Sequence, residues 1–192
     1  AVKALLYDSG KLWVGTNNGL WQLDLKAGRI VQPDYFDADS PLSNRRILDI
    51  YKSVDGLIYV GTAIGAYILD EAKKLSYKVE ETGIDAIEDI VEDHAGTIWM
   101  ATYSNGVYSY SRHAEPSLQH YCSKVDDSPV PEMTSSLCID QEGDVWIIGF
   151  SSGLLQRNAR TGEFTLYNTE NTPSLPTNLF YSCIQDESGN FW

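Results

Sequence analysis

One short phrase recurs five times along this 192-residue chain and constrains the fold more than any other feature. It reads Gly10-Lys11-Leu12-Trp13-Val14-Gly15-Thr16, then Gly56-Leu57-Ile58-Tyr59-Val60-Gly61-Thr62, then Gly96-Thr97-Ile98-Trp99-Met100-Ala101-Thr102. A fourth copy, Gly143-Asp144-Val145-Trp146-Ile147-Ile148-Gly149, precedes a partial fifth, Gly189-Asn190-Phe191-Trp192. The leading glycines fall 46, 40, 47 and 46 residues apart. A period of about 20 to 50 residues marks a repeat architecture, in which each unit is one supersecondary element stacked on its neighbours. The chain is therefore read as one array, with repeats at about 1–45, 46–86, 87–133, 134–179 and an incomplete 180–192.

Inside a repeat the periodicity is that of strands. Short runs rich in Ile, Val, Trp and Tyr are separated by Asp/Gly clusters, the pattern of hairpins. The D-x-x-G element (Asp93 with Gly96, Asp140 with Gly143, Asp186 with Gly189) has tight-turn chemistry, Asp accepting from its own backbone and Gly supplying a positive φ. Repeat one shortens it to Asp8-Ser9-Gly10 and repeat two to Asp55-Gly56. A second glycine (Gly19, Gly65, Gly106, Gly153) opens a third strand, and a fourth carries an aromatic, as in 30–36 or 163–167. Four short antiparallel strands in about 45 residues match one propeller blade. The expectation is an all-β chain of about four four-stranded antiparallel β-propeller blades plus the start of a fifth, a segment of a larger propeller. The window 84–93 alone carries a brief helical signal. The small residue after each Trp or Tyr (Gly15, Gly61, Ala101) is expected where blades approach closely. Trp13, Tyr59, Trp99 and Trp146 fill the space between blades, since a residue repeated in every unit is scaffold.

The charge balance excludes one class of partner. Fourteen Lys and Arg face 27 Asp and Glu, a net charge of −13, which repels phosphate backbones and argues against nucleic acid. Cys122, Cys138 and Cys183 have no zinc-ligand spacing, and Cys138 and Cys183 sit in apolar strand stretches. No apolar run reaches the roughly 18 residues of a membrane span. Asp34, Asp37 and Asp39 lack the Gly and Glu of a calcium loop. His113, His120 and Cys122 match no ligand spacing, and the pairs Asp126-Asp127 and Glu80-Glu81 have no assignable catalytic partner. No nucleophile-elbow, metalloprotease or P-loop phrase occurs. No metal, cofactor or catalytic residue is expected.

The phrase N-x-[VI]-x-x-[IL]-x-x-D-x-x-G-x-[LI]-W-[IV]-G-T-x-x-G-L resembles the two-component regulator propeller repeat. Residues 44–69 and 178–192 follow it, with lead-ins Leu42-Ser43-Asn44 and Leu175-Pro176-Thr177-Asn178. Ile148 and Gly149 depart from the Gly-Thr pair, and Ala66 from the Leu after Gly65. The resemblance implies the periplasmic sensor portion of a hybrid two-component histidine kinase of Bacteroides-like bacteria. Such propellers detect glycan-derived oligosaccharides and control polysaccharide-utilisation genes, with kinase output outside this segment. A protein–protein interaction scaffold is the alternative, and a propeller enzyme a third possibility without positive support.

Ligand chemistry is expected on the face bearing the loops between strands two and three and the inter-blade segments 33–46, 79–86, 113–133 and 168–178. Loops on a rigid scaffold carry binding, and a sugar site needs exposed aromatic faces with amide, hydroxyl and guanidinium groups. Tyr103 with Asn105, and Arg45 with Arg46, are the candidates. Rim packing is the plain alternative for Tyr103, and ion pairing with Asp37 or Asp39 for the arginines. The repeat positions Gly10, Trp13, Gly56, Tyr59, Gly96, Trp99, Gly143, Trp146, Gly189 and Trp192 are read as structural. The expected partners are an oligosaccharide, the remaining blades, and a second copy covering the apolar inter-blade faces that an open array exposes.

Overall fold

The computed structural model describes residues 1–36, 40–79, 85–125 and 127–192. Asp37, Asp39, Glu80, Glu81 and Asp126, weighed above as calcium-loop, ion-pair or paired-carboxylate positions, lie outside the described residues. The described chain forms four four-stranded antiparallel sheets, each with its strands in sequence order. The first comprises β1 (Val2–Asp8), β2 (Lys11–Thr16), β3 (Gly19–Asp24) and β4 (Arg29–Val31). One helical turn, α1 (Pro41–Asn44), precedes β5 (Ile47–Lys52), β6 (Ile58–Thr62), β7 (Gly65–Asp70) and β8 (Leu75–Lys78). The third sheet comprises β9 (Ile87–Glu92), β10 (Ile98–Thr102), β11 (Val107–Tyr110) and β12 (Leu118–Tyr121). The fourth comprises β13 (Thr134–Ile139), β14 (Val145–Gly149), β15 (Leu154–Arg157) and β16 (Phe164–Tyr167). The expected four-stranded blades are present, grouped in two compact units, Ala1–Ile87 and Glu88–Trp192.

In the first unit, the core lies between the first two sheets. Trp13, Leu20, Leu42, Ile47, Ile58 and Leu69 are all within 1% of complete burial, and each aliphatic of that kind contributes about 1.5–3 kcal/mol. A Cβ on Gly15 would stand 2.7 Å from Ile47 Cγ2, so the small residue beside Trp13 is what lets the two sheets meet. α1 exists to place Leu42. Ser40 caps it by accepting from the Leu42 N–H, Pro41 starts it, and Leu42 is wholly buried.

The second unit builds its core from Trp99, Ala101, Val107, Leu137, Val145 and Ile147 between the third and fourth sheets. Polar bonds join the same two sheets. Asp89 Oδ2 accepts from the Ser136 hydroxyl (2.8 Å) and the Leu137 N–H (2.7 Å). Thr134 Oγ1 accepts from the Thr102 N–H and lies within hydrogen-bond reach of the Thr102 and Gly106 carbonyls. Residues 184–192 close a further hairpin, with Ile184 and Trp192 exchanging both backbone hydrogen bonds.

Three local expectations change. The fourth strand of repeat one ends at Val31 rather than running through 30–36, because Pro33 lacks an N–H and the chain turns there, Phe36 N–H donating to the Pro33 carbonyl. Tyr35 and Phe36 instead pack edge-to-face, 5.3 Å apart, against the core. The turn of repeat two is not shortened. Ser53 takes the Asp place, and the Gly56 N–H donates to the Ser53 carbonyl at 2.9 Å as Gly96 does to Asp93. Of the window 84–93 with its brief helical signal, Ile87–Glu92 forms strand β9, which pairs with β10 at the edge of its sheet, and residue 84 lies outside the described residues.

The turn Asp does more than shape its own loop. Asp93, Asp140 and Asp186 each accept backbone N–H groups on Oδ1, and each accepts on Oδ2 the indole N–H of the Trp six residues on. Those indole bonds measure 2.8 Å to Trp99, 2.7 Å to Trp146 and 2.9 Å to Trp192. Repeat one has a two-residue turn, Ser9 and Gly10 both at positive φ, and no acid in that place. Its Trp13 Nε1 is buried without a partner.

Candidate functional site

The loops between strands two and three share one construction. The Thr16, Thr62 and Thr102 hydroxyls donate to the carbonyls of Gly19, Gly65 and Gly106. The Gly19, Gly106 and Gly153 N–H groups donate to the carbonyls of Arg45, Glu132 and Asn178, tying each loop to the segment that leads into the following repeat. In repeat four Gly149 stands in the Thr place because Ser152 occupies the room, its Oγ lying 2.0 Å from where a Cβ on Gly149 would be.

Tyr103 and Asn105 occupy one such loop in the second unit. Tyr103 is 53% exposed and presents its ring to solvent. Asn105 is committed internally. Its side-chain amide donates to the Tyr108 hydroxyl at 2.7 Å, and its backbone carbonyl lies 2.7 Å from His120 Nε2, with the His120 ring stacked on Tyr108. Arg45 and Arg46 lie in the first unit at the α1–β5 junction, with exposed side chains and carbonyls that accept from Gly19 and Ala63. The structure thus brings Tyr103 and Asn105 together in one loop and Arg45 and Arg46 together in another. Among the described residues, no group of three His, Cys, Asp or Glu side chains is placed to hold a metal ion. Cys122 is buried, and His120 is engaged with Tyr108.

A different place in the second unit carries more chemistry. A cavity of about 280 Å³ opens between the third and fourth sheets, at the end that bears the β9–β10 and β15–β16 turns. This is the opposite end from the loop of Tyr103. Its walls include Asp93, Thr97, Ser109, Gln119, Tyr121 and Arg157. The Arg157 guanidinium carbon lies 4.9 Å from the centre of the Trp99 ring, and Trp99 stacks on Tyr121 at 5.7 Å. Cation–π contact of this kind fixes a guanidinium without neutralising it. Arg157 Nε is buried and has no hydrogen-bond partner.

Arg157 was not among the residues singled out from sequence, although a signal for it exists. Four residues after the second glycine of each repeat stand Leu23, Leu69, Tyr110 and Arg157. Three repeats place an apolar or aromatic side chain there, and the fourth places a charge. The next position is turn chemistry in three repeats, where Asp24, Asp70 and Asn158 each accept local backbone N–H groups.

The adjacent thiols Cys138 and Cys183 interact in the second unit. The hydrogen bond from Cys183 stabilises the Cys138 thiolate and brings that thiol down to about 7, while the same bond and burial push the Cys183 thiol up.

Sheets of four antiparallel strands in sequence order, stacked face to face within each unit, are propeller blades, and the chain is a β-propeller segment. No family model and no curated protein matches it. Among solved structures it is similar over its whole length to the extracellular domain of BT4673 from B. thetaiotaomicron, described as a hybrid two component system, at 20% identity and TM-score 0.78 over 25% of that chain. It is likewise similar to the extracellular domain of BT3049 from the same organism, at 17% identity and TM-score 0.77 over 27% of that chain. Virginiamycin B lyase from Staphylococcus aureus is also similar, at 14% identity and TM-score 0.73 over 62% of its length. At these identities the likeness shows the fold. The chain spans about a quarter of the length of the two extracellular domains.

Proposed function

We propose that this segment belongs to the extracytoplasmic sensing region of a hybrid two-component sensor kinase, faces the periplasm, and responds to glycan-derived oligosaccharides that control polysaccharide-utilisation genes. The observation that carries the reading is the similarity over the entire chain to two extracellular domains described as parts of hybrid two component systems. It agrees with the repeat phrase itself. No helix among the described residues is long and apolar enough to cross a membrane. The lyase likeness means that the fold alone does not separate sensing from catalysis.

Isothermal titration of the intact extracytoplasmic region against plant and host glycan oligosaccharides tests this reading. Micromolar binding of one class is expected. If Tyr103 stacks on the sugar, Tyr103→Ala weakens binding by about fivefold or more, on the scale of one aromatic contact. Absence of binding across a broad panel moves the function to a protein-docking scaffold. That second reading draws support from the outward apolar side chains of β1, where Leu5 and Tyr7 are 58% and 66% exposed.

Exposed apolar surface on β1 also supports association of two copies through inter-blade faces. Light scattering of the chain is expected to give twice the monomer mass at micromolar concentration, and Leu5→Asp is expected to restore the monomer. A monodisperse monomer of the unmutated chain would count against self-association.

A further inference from the structure

The cavity between the third and fourth sheets is used neither by the repeat nor by the loop face, and it differs from both in holding an uncompensated cation. We propose that it binds the carboxylate of a uronic acid sugar, with Arg157 as the anion anchor. The inference rests on the sensing reading above and adds to it the class of sugar and the place where its charge is read.

Arg157 is held in position before any ligand arrives. Its guanidinium lies on Trp99, and Trp99 is fixed by the Tyr121 ring on one side and the Asp93 hydrogen bond at its edge. A donor fork fixed in this way loses little freedom on binding.

The charge on Arg157 is unanswered. The chain carries 27 acidic side chains against 14 basic ones, yet among the described residues none lies within ion-pair distance of Arg157, and its Nε is buried without a partner. Asp93 stands on the same wall but is spent. Its Oδ1 accepts from the Ala95 and Thr97 N–H groups, and its Oδ2 from the Trp99 indole. Arg157 is half-buried, an Nε closed to solvent without an acceptor is unfavourable, and a carboxylate matches the fork of a guanidinium.

The remaining walls select what is attached to that carboxylate. Thr97, Ser109, Ser111, Ser117 and Gln119 present hydroxyl and amide groups suited to a polyol rather than to an apolar acid. A volume of about 280 Å³ is at the small end for ligand pockets, enough for one sugar ring. Arg157 is also where the chain departs from its own repeat, as a binding residue should and a scaffold residue should not.

Calorimetric titration of the intact chain with oligomers of galacturonate, glucuronate and mannuronate, each beside its methyl ester and a neutral oligosaccharide of equal length, decides the matter. One uronate series is expected to bind, its methyl ester to bind about tenfold more weakly or worse, and Arg157→Gln to remove the preference for the acid. Binding is also expected to shift the fluorescence of the chain, because Trp99 lies under the guanidinium. The ester comparison uses unmutated protein and does not depend on how the variant folds. Equal affinity for acid and ester, or binding of neutral oligosaccharides alone, would overturn the inference and leave the sensing reading standing. Failure of every saccharide, acidic and neutral, would overturn both.

Discussion

Asp93→Ala is expected to destabilise the second unit by about 2–4 kcal/mol, far more than a surface Asp-to-Ala change, which falls within about 0.5 kcal/mol. One carboxylate holds three donors in this turn, two backbone N–H groups and the indole of a Trp that is 1% exposed. Its removal strands the indole N–H in the interior and releases the turn that sets the β9–β10 register. The internal control is Trp13, which occupies the same place in the first repeat, is wholly buried, and has no partner for its Nε1. Trp99→Phe and Trp13→Phe delete the same atoms from equivalent places, and Phe keeps an aromatic face for the Arg157 and Tyr121 contacts that Trp99 makes. Trp99→Phe should cost about 1.5–3 kcal/mol more, the contribution of one hydrogen bond to a charged acceptor. Urea unfolding of the two variants measures the difference. Equal costs would show that the indole bond forms without stabilising the sheet.

The same Asp and Trp mark the limit of what the amino-acid pattern conveyed. Strand positions were legible because alternation, β-branched residues and Gly turns act locally. All four sheets are built from segments that carry those signals. The D-x-x-G turn was legible too, but the bond from its Asp to the Trp six residues on depends on strand twist bringing the indole edge over the turn. Pro33 should have ended the fourth strand of repeat one, and the aromatics Tyr35 and Phe36 that suggested strand are used for packing instead. Asn105 looked available for a ligand because nothing in its neighbourhood in the chain reveals that Tyr108 and His120, on adjacent strands, claim its side-chain amide nitrogen and its backbone carbonyl. Arg157 was detectable only by aligning repeats against each other and asking which place breaks the rule.

Gly106→Ala is expected to cost about 3 kcal/mol or more, whereas Gly28→Ala should cost only about 1 kcal/mol, although both glycines sit at positive φ. At Gly28 a Cβ would meet nothing within 4 Å, so only the backbone penalty applies. At Gly106 it would stand 2.2 Å from the Tyr121 carbonyl oxygen, and that oxygen belongs to β12, whose Tyr121 is paired opposite Val107. Neither side can retreat without breaking a ladder. The Gly106 N–H donates to Glu132 and its carbonyl accepts from Thr102, so displacement of this one residue loosens the Tyr103 loop and the lead-in to β13 together. Thermal or urea unfolding of the two variants gives the comparison directly. A second readout follows from the position of the loop: Gly106→Ala should weaken any ligand held by Tyr103 while leaving one anchored on Arg157, at the opposite end of the same sheets, closer to its original affinity. If both ligands weakened equally, the loop and the cavity would be parts of one cooperative site rather than two.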